Sequence, residues 1–123
     1  MMLNFDDITW HDTEILKITI DRSNPGKEDT IEFKLRNESD GQLIVTFIDA
    51  WRMICDLNFG IVCRETIRTA SCHDSHEVLD ELRKRWGRPG INLSGLKLFD
   101  FETNSTASKI RIIARAVRIV SSA

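Results

Sequence analysis

One segment of this chain has a helical hydrophobic period and the rest does not, and that imbalance constrains the fold most. Asp74 to Trp86 reads Asp-Ser-His-Glu-Val-Leu-Asp-Glu-Leu-Arg-Lys-Arg-Trp. Val78, Leu79, Leu82 and Trp86 fall on one stripe of a 3.6-residue helix. Asp74 and Glu77 fit a capping box, each carboxylate meeting a backbone N–H that the helix start leaves unpaired. Arg83, Lys84 and Arg85 crowd the last turn, where the helix dipole favours positive charge. Gly87 can take the left-handed closing conformation, and Pro89 forbids continuation. A lone amphipathic helix must bury its stripe, most simply on one face of a sheet. The expected fold is therefore α+β, a curved antiparallel sheet of about six strands with one amphipathic helix packed on a face. Residues 1–123 are expected to form a single domain.

The strands follow from alternation. Glu14 to Asp21 places Leu16, Ile18 and Ile20 on one face, and Thr30 to Arg36 does the same with Ile31, Phe33 and Leu35. Ser23-Asn24-Pro25-Gly26 between them is strong turn chemistry, so the two pair as a hairpin. Gln42 to Phe47 joins as a meander. It is apolar on both faces, which predicts a central strand covered twice, or a bent one. A change of direction is expected near Asp49–Trp51, then a fourth strand over about 52–58 and a tight turn at Phe59-Gly60. Residues 61–72 read as a strand or a helical turn. Leu96 to Glu102 and Lys109 to Val120 form a second hairpin, with a β-bulge expected where alternation slips at Ala116–Val117.

The totals exclude several classes. A net charge of −2 gives no global field that recommends nucleic acid or an anionic membrane. No apolar run approaches the ~20 residues that span a bilayer. The opening Met-Met-Leu-Asn-Phe-Asp-Asp has neither the basic nor the apolar part of a secretory signal. Cys55, Cys63 and Cys72 are odd in number and lack CxxC spacing, so a reduced, cytoplasmic protein is expected.

Chemistry is concentrated in Trp10-His11-Asp12-Thr13-Glu14. His11, Asp12 and Glu14 are a candidate polar site for a ligand, a proton or a metal. His11 lacks a spaced histidine partner, so the bland reading is a cap at the start of the strand. Cys63, Cys72, His73 and His76 lack paired zinc-ligand spacing. The cysteines read instead as small buried hydrophobes, and no metal or other cofactor is expected. Asp49, on an apolar strand, needs a partner, with Arg52 or a histidine the expected mate. Trp10 reads as an anchor near the N-terminus, and Trp51 and Trp86 as fillers of the helix–sheet interface whose indole N–H groups need acceptors. Arg111, Arg115 and Arg118 come without an aromatic platform, which argues against a nucleic-acid reader. GxSxG, Walker and HExxH motifs are absent from the sequence.

Three stretches carry a resemblance: Trp10-His11-Asp12-Thr13-Glu14-Ile15-Leu16, Asp56-Leu57-Asn58-Phe59-Gly60, and Glu102-Thr103-Asn104-Ser105-Thr106-Ala107-Ser108. Their order, with the Arg-Lys-Arg-Trp helix end between the last two, resembles short bacterial proteins of unassigned function. The W-H-D-x-E-[I/L] opening is similar to that of small immunity proteins of bacterial polymorphic toxin systems. The familiar pattern carries Gly where this chain has Ala107, so the turn there is expected to be altered. The resemblance implies a compact cytoplasmic α+β protein that binds and neutralises a toxin-like partner without catalysis. The alternative is a small-molecule-binding or enzymatic domain with its site at His11, Asp12 and Glu14. Pairing of two copies through an exposed strand edge is compatible with either.

Overall fold

The computed structural model describes residues 2–122. In chain order the strands are β1 (Met2–Leu3), β2 (Glu14–Asp21), β3 (Thr30–Asn37), β4 (Gly41–Asp56), β5 (Ile67–His73), β6 (Lys97–Thr103) and β7 (Lys109–Ser121). A short 3-10 turn occupies Phe5–Asp7, and the helix α1 runs Glu77–Trp86. The strands form one antiparallel sheet of seven rather than about six, in the order β2-β3-β4-β7-β6-β5, with β1 pairing β7 off that path. Both expected hairpins are present, β2 with β3 and β6 with β7. The sheet is open. Its two outermost strands nevertheless approach at one end, where Glu14 bridges Thr66. Among the described residues no helix is long and apolar enough to cross a membrane.

The strand expected to end near Asp49 does not end. β4 is a single strand of 16 residues, and its ladder to β7 continues on both sides of a register shift between Ala50 and Arg52. Trp51 is the extra residue, and Asp49 takes φ 55, a left-handed conformation that Asp tolerates better than most side chains. Ala114 and Val117 pack on the same core although they are three positions apart, so the facing of β7 does change there. The pairing through Ala116–Val117 keeps a constant register, and the register shift of this ladder lies on β4, between Ala50 and Arg52. A second bulge, between Ile15 and Lys17, corrects the facing of β2. Ile15 opposes Leu35 and Ile18 opposes Phe33, while Leu16 is turned outward.

Successive residues of a strand point to opposite faces, and both faces of the middle of the sheet are covered. On one face Phe33, Phe47, Phe99 and Phe101 are fully buried, with ring centroids 5.1 to 5.9 Å apart. Burying each such side chain contributes on the order of 1.5–3 kcal/mol. On the other face Leu98 and Ile113 receive Val78, Leu79 and Leu82 of α1. Trp51 joins this second core, but Trp86 does not fill it: the residue is 42% exposed at the helix end. The helix begins differently from the capping box. His76 is the N-cap and its Nδ1 accepts from the Val78 N–H at 3.1 Å, while Asp74 faces Lys97 at 3.6 Å. Gly87 has φ −70, so it is not left-handed. A Cβ there would lie 2.4 Å from the Arg83 carbonyl oxygen, and this close approach is what requires glycine.

These burial differences separate two helix residues that the sequence treats alike. Leu79→Ala is expected to cost about 2–5 kcal/mol in urea denaturation. Trp86→Ala is expected to cost about 1 kcal/mol or less. Equal losses would show that Trp86 seats the helix. Ala107 holds φ 50, which an L side chain resists by about 1–2 kcal/mol. Ala107→Gly should therefore raise stability by up to about 1 kcal/mol.

Candidate functional site

The stretches singled out in the sequence converge where the outer strands meet. Asp12, with φ 66, turns the chain so that its N–H reaches the Ile67 carbonyl at 2.7 Å. The Ile67 N–H returns to the Thr13 carbonyl at 2.8 Å, and the Ile15 N–H reaches Glu65 at 2.7 Å. Asn104 closes the junction from the β6–β7 turn. Its Nδ2 lies 2.9 Å from Thr66 Oγ1, 3.3 Å from the Ile67 carbonyl and 3.3 Å from Asp12 Oδ1. Thr106 donates to Glu65 Oε2 at 2.7 Å. Asn58 ties the third stretch in, donating from its backbone to Ser108 Oγ at 3.0 Å and from Nδ2 to the Thr106 carbonyl at 2.8 Å.

The residues of the candidate polar site part company within this junction. Glu14 is buried, and Arg36 Nη2 donates to both of its oxygens at 3.0 and 2.8 Å, with Arg64 at 3.8 Å. His11 and Asp12 are exposed; Nδ1 of His11 donates to the Arg68 carbonyl at 3.1 Å, and Nε2 lies 3.4 Å from Asp12. Trp10 is buried on the other side, donating from Nε1 to the Phe5 carbonyl at 2.8 Å and packing on Phe5 and Phe101. Asp49 belongs elsewhere. Its partner is neither Arg52 nor a histidine but Arg115, whose Nε donates to Oδ2 at 2.7 Å. The same guanidinium donates to the carbonyls of Asn92 and Ser94, fixing the loop between α1 and β6.

The cysteines are exposed rather than buried. Partial desolvation still pushes the Cys55 and Cys72 thiols up, away from the nucleophilic thiolate. Among the described residues no three His, Cys, Asp or Glu side chains are placed to hold a metal ion. The rings of His73 and His76 lie 5.6 Å apart, but each has a nitrogen engaged, with Ser71 and with the Val78 N–H respectively. The Ser71–His73 contact of 2.9 Å is a pair that sequence reasoning missed. Its signal was a Ser and a His two apart on one strand face. Among the described residues no carboxylate bonds His73, and the cavity beside Ser71 holds only about 100 Å³, too little for most ligands. Arg111 is paired with Asp100 at 3.5 Å, which with the Arg115 contacts leaves no continuous basic face on β7.

Two surfaces stand out instead. The loop over residues 57–65 projects Phe59 at 82% exposure, Ile61 at 55% and Val62 at 103%. An open groove of about 430 Å³ runs between the β2–β3 connection, the β4 bulge and Trp86. In its rim, the Arg22 hydrogen bond, helped by the Gly26 N–H, holds the Asp29 carboxyl below the usual range. Ser23 does the same for Asp21. No family model, curated protein or solved structure matches the chain.

The junction is load-sharing in its hydrogen bonds, and His11 sits at its margin. Asn104→Ala should lower stability by about 1 kcal/mol in chemical denaturation, since a part-buried hydrogen bond to Thr66 is lost. His11→Ala should change it by about 0.5 kcal/mol or less.

Proposed function

We propose that this is a non-enzymatic interaction protein of the immunity type, which binds a toxin-like protein partner and blocks it by occlusion. The observation that carries the reading is the apolar loop over residues 57–65. Phe59, Ile61 and Val62 stand in solvent, each among the residues that a soluble protein ordinarily covers. The loop is not loose at its base, because Asn58 is bonded to Thr106 and Ser108. An apolar tip on a fixed base inserts into a partner's cleft with little ordering cost. The motif residues support the same reading. Asn104 and Thr106 spend their polar side chains on bonds that hold the two sheet edges together, and Asn58 and Ser108 tie the loop to that junction.

The reading is tested with the products of the genes flanking this one in its source bacterium. Purified wild-type protein is expected to bind one of them in titration calorimetry and to suppress its toxicity on co-expression. Phe59→Ser combined with Val62→Ser should weaken that binding by at least about a hundredfold, given hot-spot losses of 2 kcal/mol or more each. The thermal midpoint should stay unchanged. Flanking products that neither bind nor become less toxic would overturn the proposal.

A further inference from the structure

We propose that the outer edge of β2 pairs antiparallel with the same edge of a second copy of this chain, centred on Thr19, so that one sheet runs through a two-fold dimer. This surface is separate from the apolar loop and does not rest on the partner reading. β2 stands at the end of the strand order. On its outer side the junction engages Glu14 and Ile15, through the bridge to Thr66 and the bond to the Glu65 carbonyl. From Lys17 to Asp21 the ladder to β3 is regular, and among the described residues no strand pairs with the other side. Such an edge presents backbone groups that a further strand completes. Lys17-Ile18-Thr19-Ile20-Asp21 contains no proline, and its three central residues are β-branched, so nothing in the backbone resists pairing.

The side chains select the partner. A lone charge on an edge repels a second copy, because the copy brings the same charge. This edge carries one charge of each sign, placed symmetrically about Thr19. In a self-complementary antiparallel pair centred there, Lys17 stands opposite Asp21 of the second copy, and Asp21 opposite Lys17 of the second copy. Both groups are available. Asp21 takes the two Ser23 donors on Oδ1, which holds the carboxyl in its charged form and leaves Oδ2 for a donor from outside. Lys17 stands opposite Lys34 on β3, a like-charge pair that an incoming carboxylate relieves. On the other face, Ile18 packs on the aromatic core and Ile20 pairs with buried Ile31, yet Ile20 is 60% exposed. The same register sets Ile18 opposite Ile20 of the second copy and covers that apolar surface. Moving the centre to Ile18 or Ile20 sets Thr19 opposite a charge and loses both ion pairs. A centre between two residues mismatches the faces.

The test is sedimentation equilibrium of the full chain from micromolar to millimolar concentration, where a reversible monomer–dimer equilibrium is expected. Lys17→Asp should weaken the dimer at least about tenfold, and so should Asp21→Lys, because each sets like charges across the edge twice. Both side chains are exposed, so the variants keep the fold. The two substitutions together restore the charge pairing and should restore the dimer. The register has its own readout on a background of Cys55→Ser, Cys63→Ser and Cys72→Ser. There Thr19→Cys should oxidise to a covalent dimer, since directly opposite Cα atoms lie about 4.5–5.5 Å apart, within disulfide reach. Lys17→Cys should not, because four residue steps of about 3.3 Å separate the two copies of that position. A chain that stays monomeric over the whole range would overturn the proposal, as would a dimer that both single charge variants leave unchanged. A dimer dissolved by Phe59→Ser with Val62→Ser, but not by Lys17→Asp, would put the self-contact on the apolar loop and overturn it too.

Discussion

The antiparallel ladder between β4 and β7 carries the molecule, and its one irregularity shapes everything around it. These strands pair from Leu43 with Ser121 to Asp56 with Lys109, interrupted between Ala50 and Arg52. At that point Asp49 adopts a left-handed backbone and Arg115 holds its carboxylate from the opposite strand. A perfectly alternating ladder would keep one residue parity on one face throughout. Here Phe47 and Ala50, three apart, reach the aromatic core, and Trp51 turns to the helix. The helix core, the loop that Arg115 pins at Asn92 and Ser94, and the groove beside Trp51 all stem from this bend.

A second constraint acts at the edges. An open sheet exposes unpaired backbone groups along its outer strands, a standing invitation to aggregation. This chain limits the problem by bringing β2 and β5 together at one end through backbone bonds between residues 12–15 and 65–67. Asn104, Thr106 and Asn58 brace that contact. The division of labour is then physical. Glu14, Asn104, Thr106 and Ser108 engage partners within the junction, and the loop beside them faces outward with apolar residues. The groove lies on the other side of the long ladder's bend, where it draws on different residues.

What the sequence made legible was local. Helix α1, both hairpins and the β3–β4 meander follow from period and turn chemistry, which are nearest-neighbour properties. The unreadable parts were conformations without a residue signature and contacts without a sequence spacing. Asp12, Asp49 and Ala107 all take positive φ without being glycine, so the tight turn at the junction was unmarked, and the change of direction expected near Asp49–Trp51 read as the end of a strand rather than a bend within one. The Asp49–Arg115 pair spans 66 positions, and no local rule chooses Arg115 over the nearby Arg52. His76 took the cap that Asp74 was expected to make, because a side chain two residues before Val78 reaches its N–H more directly. The exposed loop was hidden for another reason. Leu57, Phe59 and Ile61 fall at alternate positions as in a strand, with Val62 next to Ile61, and among the described residues no strand pairs with them to cover that pattern.

The most direct measurement is a double-mutant cycle on Asp49→Ala and Arg115→Ala, by urea denaturation at low salt. Both side chains are partly exposed, so screening keeps the coupling modest. A favourable coupling of about 1 kcal/mol, reduced by added salt, is predicted for a charged hydrogen bond that holds the central bend. Strictly additive losses would contradict the account, because the bend would then be held by packing alone.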